Sequence, residues 1–239
     1  MGTAPVTVWI SRSRPGAERQ ADDLRAAGYR PLVAPVIDIE AVPGQPPPGP
    51  FELVIFLSEH AVRLGLDALR CQPWFASAQI FAVGGRTAEA LAAAGVTAGM
   101  PATPTSEGLL QLEPLSRVDG QCVLLVSGVG GRGVLGDTLT RRGADVERFE
   151  CYRRVAAGRV DPAVLGSDVI IAASGEGLRA VAGFWLDGGG RADVPVLVPS
   201  ARVAALGVEL GLGNLHDCGG ADSGAWLHAL AQLNPAESS

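Results

Sequence analysis

Residues 82–95 read "AVGGRTAEALAAAG": an apolar run, a glycine pair, an arginine and a threonine, then an alanine-rich helical stretch closed by glycine. A strand-to-helix turn of this kind offers backbone N–H groups and a hydroxyl to an anion, which is the chemistry of a phosphate or carboxylate cradle. A second glycine-rich turn, "SGVGGRG", occupies residues 127–133.

The cations narrow the chemistry. All 19 positive side chains are arginines and there is no lysine, so a Schiff base and the lysine of a P-loop are both excluded. Cys71, Cys122, Cys151 and Cys218 form no CxxC pair and sit mostly beside apolar residues, as buried free thiols in a reducing compartment do. His60, His216 and His228 form no ligand cluster, so no metal site is expected.

The formal charge of −6 argues against a nucleic-acid partner, which needs a basic face. No run reaches the length of a signal-peptide core or a membrane span, so a cytoplasmic protein with no membrane partner is expected.

These residues need elements to position them. Apolar runs recur at "VTVWIS", "ELVIFLS", "QIFAVG", "CVLLVS", "DVIIAAS" and "VPVLVPS", each followed by a segment with helical spacing. Alternation of this kind predicts an α/β fold of parallel sheets flanked by helices, and in such sheets ligands bind beyond the carboxyl ends of the strands. Serine or glycine closes nearly every run.

One displacement of 116 residues relates two halves of the chain: Ser58 falls on Ser174, Arg86 on Arg202 and Gly95 on Gly211. "TSEGLLQL" at 105 then falls on "ADSGAWLH" at 221 without a gap. Two similar lobes are predicted. At equivalent positions lie two extended segments, "APVIDIEAV" and "ADVERFECYRRVA", able to pair as strands; "PGQPPPGP" after the first reads as a solvated polyproline-like loop.

The order and content of "ISRSRPGAERQADDLRAAGYRPLVAPVIDIE", "VIFLSEHAV", "FAVGGRTAEALAAAG", "TSEGLLQL", "LLVSGVGGRGVLGDTLTRRGADVERFECYRR" and "AASGEGL" resemble the uroporphyrinogen-III synthase family over essentially the whole chain. The resemblance implies two similar lobes joined by a two-stranded antiparallel linker. Lobe 1 is discontinuous, at 1–36 plus 156–239; lobe 2 is 41–149; the linker strands are 36–41 and 149–156. It also implies the reaction, in heme, cobalamin and siroheme biosynthesis. Hydroxymethylbilane, a linear tetrapyrrole with eight carboxylate arms, is cyclised to uroporphyrinogen III with loss of water and inversion of ring D. The protein would act without a cofactor, as a monomer, on substrate handed over from hydroxymethylbilane synthase.

Within that family the tyrosine of "ECYRR" assists the departing hydroxyl, which makes Tyr152 the catalytic candidate; a neutral phenol can donate to the leaving oxygen. The alternative for Tyr152 is packing on the linker with its hydroxyl in water. Donors for the carboxylates are Arg12 and Arg132 in corresponding loops, and the hydroxyls of Ser58, Thr87, Ser106, Ser127, Ser174 and Ser200 just past the strand ends. Each hydroxyl can equally be a helix N-cap, and the two roles can coexist. Where the family often has glycine and threonine in the second-half turn this chain has "VPSARVA", so contacts there rest on Ser200 and backbone. The competing readings are a non-catalytic tetrapyrrole-binding regulatory relative and a nucleotide enzyme.

Overall fold

The structure is a computed structural model, and it describes residues 4–131 and 133–233. In chain order the elements are β1 (Thr7–Ile10), α1 (Gly16–Ala26), β2 (Arg30–Val33), β3 (Ile37–Ala41), β4 (Leu53–Phe56), α2 (Glu59–Arg70), β5 (Gln79–Ala82), α3 (Gly85–Ala93), the one-turn helices α4 (Ser106–Leu109) and α5 (Glu113–Ser116), β6 (Cys122–Gly128), α6 (Val134–Arg141), β7 (Asp145–Ala156), β8 (Val169–Ile171), α7 (Gly175–Asp187), β9 (Pro195–Val198), α8 (Ala201–Glu209), β10 (Asn214–Asp217) and α9 (Ser223–Leu233).

They form two units. The first takes residues up to Asp38 and from Val155 onward; the second is Ile39–Arg154. The chain passes between them inside β3 and β7, so both crossings are in strands.

In the first unit the sheet runs β10-β9-β8-β1-β2, every neighbouring pair parallel. Period-two alternation splits its side chains. Val8, Ile10, Val169, Ile171 and Leu197 face α1 and α9, where Ala21, Leu24, Trp226 and Leu230 meet them. Trp9, Ile170, Val196 and Val198 face α7 and α8 through Leu178, Val181, Trp185 and Val203. Burial on both faces explains why these strands read as unbroken apolar runs. Trp9 anchors its side: the indole N–H donates to Ala34 O at 2.8 Å, and the ring stacks on Trp185 with centroids 6.2 Å apart.

The second unit repeats the plan in the order β3-β7-β6-β4-β5. Val54, Phe56, Leu124 and Val126 pack on α2 and α3; Leu53, Ile55, Val123 and Leu125 pack on α4, α5 and α6. The displacement of 116 is visible in the bounds: β5 maps onto β9 and α3 onto α8 residue for residue, and Gly95 and Gly211 close those helices at φ 76° and 88°. That left-handed backbone is one that glycine adopts without a Cβ penalty.

β3 lies beside β7 as the antiparallel exception. Val42 N–H donates to Cys151 O and Ala157 N–H to Val36 O, each at 3.0 Å. Arg153 grips Glu40 across this pair, Nε at 3.0 Å and Nη2 at 2.8 Å from one carboxylate oxygen. The proline-rich 43–50 segment has no regular structure, yet Pro48 O accepts from the Trp74 indole at 2.8 Å. Cys71 is exposed, against the expectation of burial, because it caps the solvent end of α2. No helix among the described residues is long and apolar enough to cross a membrane.

Candidate functional site

The carboxyl ends of the strands carry the residues of interest, and each unit has its own set. Tyr152 belongs to the second. It sits where the β6–β7 ladder slips: Ser127 pairs with Glu150, but Gly128 pairs with Tyr152, leaving Cys151 as the extra residue of a bulge. Phe149 and Cys151 point into the core beneath α2, and strict alternation would turn Tyr152 to the other face. The bulge returns it to the same side, which is how such irregularities re-aim a side chain.

There the phenol meets the helix start. Tyr152 Oη lies 3.0 Å from Ser58 Oγ, and Ser58 Oγ also accepts the Ala61 N–H at 3.0 Å as the N-cap of α2. The tyrosine is 3% exposed and belongs to the core cluster beneath α2, so its ring packs as the alternative reading holds, while its hydroxyl bonds Ser58. His60, in the first turn of α2, lies against the ring with centroids 5.6 Å apart. Gly128 also backs onto the ring, where an added Cβ would fall 2.6 Å from two ring carbons. Only glycine permits that approach.

Beneath the tyrosine, the Cys151 thiol faces Ala61 O and Ser127 O, each at 3.7 Å, and burial pushes it up from 9.0 to about 11. It therefore stays protonated and is not a nucleophile. Ser127 is 3% exposed and its Oγ has no hydrogen-bond partner among the described residues. Its counterpart in the first unit, Ser11, is equally buried but donates to Ile171 O at 2.8 Å.

Residues 128–133 spell GxGxxG behind β6, with Glu150 in the middle of the next strand, so the nucleotide reading has to be judged on geometry. Three of the turn's described amides are occupied. Val129 N–H donates to Tyr152 O, Gly130 N–H to the Glu150 carboxylate at 3.3 Å, and Gly131 N–H to Gly128 O. The Glu150 carboxylate on the Gly130 amide stands where a pyrophosphate would approach.

The other candidates distribute as follows. Thr87 is 4% exposed inside the first turn of α3; the N-cap there is Gly84. Ser106 is the first residue of α4, and the cap is Thr105, whose hydroxyl accepts the Gly108 N–H at 3.0 Å. This corrects the gapless third block of the repeat, because the matching helix α9 is capped by Asp222, which accepts the Ala225 N–H at 3.0 Å. Thr105 thus corresponds to Asp222, one residue out of step. Arg132 lies outside the described residues. Arg86 is exposed and paired with Glu89 at 3.0 Å.

In the first unit, Ser174 caps α7, accepting the Gly177 N–H at 3.1 Å in the same geometry as Ser58. Ser200 holds the N-cap position of α8 without a side-chain capping bond. Arg12 follows β1, with its guanidinium lying over Gly16, where a Cβ would come within 2.9 Å of Nε. Sequence reasoning missed Gly128, His60 and the bulge at Cys151; the glycine directly after Ser127 was the available signal. No group of three or more His, Cys, Asp or Glu able to hold a metal is found among the described residues.

The family described as uroporphyrinogen-III synthase HemD matches residues 18–215. A uroporphyrinogen-III synthase of Escherichia coli is 32% identical over 247 residues, covering 94% of this chain and all of that protein. The Salmonella typhimurium enzyme is 33% identical with the same coverage. Among solved structures, the uroporphyrinogen-III synthetase of Helicobacter pylori superposes with a TM-score of 0.67 at 17% identity, covering 96% of this chain and 100% of that one. At that identity the likeness speaks for the fold alone.

Proposed function

Because the chain belongs to the uroporphyrinogen-III synthase family, we infer that it closes hydroxymethylbilane into uroporphyrinogen III, expelling water and inverting ring D. The observation that carries the site is the Ser58–Tyr152 hydrogen bond at the strand ends of the second unit. The pyrroles are their own nucleophiles, so the protein needs an acid for the leaving hydroxyl and a means of holding the cation that results. Tyr152 is the acid in this reading. Its ring is held between neighbours, with His60 at 5.6 Å and Gly128 backed onto its carbons, which suits proton donation in a fixed direction.

Holding the chain ends in near-attack geometry contributes most of the remaining acceleration, since orientation alone is worth roughly 7–11 kcal/mol. Eight carboxylates on a protein of net charge −6 call for local donors. We assign that work to Arg12, Ser174 and Ser200 in the first unit, and to Thr87, Ser106, Ser127 and Arg132 in the second. Among these we favour Ser127, whose buried hydroxyl has no hydrogen-bond partner among the described residues. In this reading the two units are the family's two lobes, and 36–41 with 149–156 are the linker. The protein acts as a monomer on substrate delivered by hydroxymethylbilane synthase, because the free bilane closes spontaneously to isomer I.

Purified protein incubated with freshly generated hydroxymethylbilane should yield isomer III on separation of the products. Isomer I alone would overturn the reading in favour of a binding relative. Gel filtration at the monomer mass, 24.5 kDa, checks the oligomeric proposal.

A further inference from the structure

We propose that Ser58 is a positioning residue that aims the Tyr152 proton and steadies the phenolate it leaves, coupling the phenol to the N-terminus of α2; this rests on the reading of Tyr152 as the acid. Ser58 Oγ has one proton and two lone pairs. The Ala61 N–H takes one lone pair at 3.0 Å. The 3.0 Å contact with Tyr152 Oη can run in either direction; in the productive arrangement Ser58 donates, which leaves the phenolic proton for the departing hydroxyl.

Internal duplication separates this role from capping. Ser174 has the same cap in the first unit, but the stretch equivalent to Cys151–Tyr152 there is Pro35–Val36–Ile37, which carries no hydroxyl. A helix cap alone is therefore satisfied without a phenol, and the second contact of Ser58 is specific to the half that carries the tyrosine.

In the step itself, the phenolic O–H bond breaks and the proton joins the substrate hydroxyl oxygen. The C–O bond breaks with its electron pair leaving on water, and the carbon remains as an azafulvenium cation. The phenolate accepts the Ser58 O–H, and through it the charge is shared with the amide at the start of the 12-residue α2. After ring closure, the proton shed by the pyrrole returns to the phenolate, so only water is lost overall.

The test is a cycle of Ser58→Ala, Tyr152→Phe and the double variant, with Ser58→Thr as the conservative replacement and Asp222→Ala as a loss of helix cap elsewhere. Tyr152→Phe should lower kcat about 100-fold and Ser58→Ala about tenfold with KM unchanged. The double variant should fall no further than Tyr152→Phe, Ser58→Thr should recover most of the rate, and Asp222→Ala should leave kcat alone. If Tyr152→Phe is slow but Ser58→Ala is not, the coupling is wrong and the acid reading survives. Multiplicative losses, a rise in KM alone, or an equal loss in Asp222→Ala would also overturn it. An unimpaired Tyr152→Phe would remove the acid reading, and the coupling with it.

Discussion

Tyr152 loses only one oxygen on replacement by phenylalanine, and that oxygen bonds a serine that keeps its other partner. Tyr152→Phe should therefore cost about 0.5–1.5 kcal/mol of stability, read as a small shift in urea midpoint, while turnover collapses. A large stability loss would mean that the hydroxyl is structural. Both members of this pair were visible in the sequence as candidates, but not as partners. They are 94 residues apart, and a bulge that no local pattern announces brings them together. The orphaned state of the Ser127 hydroxyl was equally illegible, since its counterpart Ser11 has the same residue type and burial and is satisfied.

At the scale of elements, the strands were readable because helices on both faces bury all of β4 and all of β6 but Cys122, turning them into nearly continuous apolar runs. Helix starts were less so. Thr105 and Ser106 are adjacent hydroxyl residues, and which of them caps α4 depends on where the preceding backbone turns extended. The β6–β7 bulge makes its own prediction. At Gly128 backbone φ imposes nothing special, so the demand for glycine is steric, and Gly128→Ala must push the tyrosine ring aside. Such overpacking costs about 1–3 kcal/mol. Activity should fall with it, and more than the stability loss explains; an active, fully stable Gly128→Ala would show that the ring is not held against β6.

For the whole molecule, buried thiols set an alkaline limit. The Cys151 thiol is held up at about 11 by burial, and burial raises Cys122 and Cys218 in the same direction, Glu52 adding to the effect at Cys122 and Asp217 at Cys218. The folded chain thus keeps a proton that the unfolded chain releases from about 9. The stabilisation is whole below 9 and is lost as pH climbs through 11, a loss of about 2 kcal/mol from Cys151 alone near pH 10.5. Urea midpoints measured at about pH 8 and pH 10.5 should show it, and Cys151→Ala should flatten the difference; an unchanged slope would place the titration elsewhere.

The duplication was legible at this largest scale because β5 and α3 keep their spacing in β9 and α8, so one displacement survives over many residues. The discontinuity of the first unit bears on how the chain is made. Once residue 154 has left the ribosome, the second unit has every strand and helix it needs. By then β1, α1 and β2 have long emerged, but β8, the strand that pairs with the open side of β1, has yet to be synthesised, and so has Trp185, the stacking partner of Trp9. The earliest-made segment is thus completed last, and translation gives two near-identical architectures opposite folding histories.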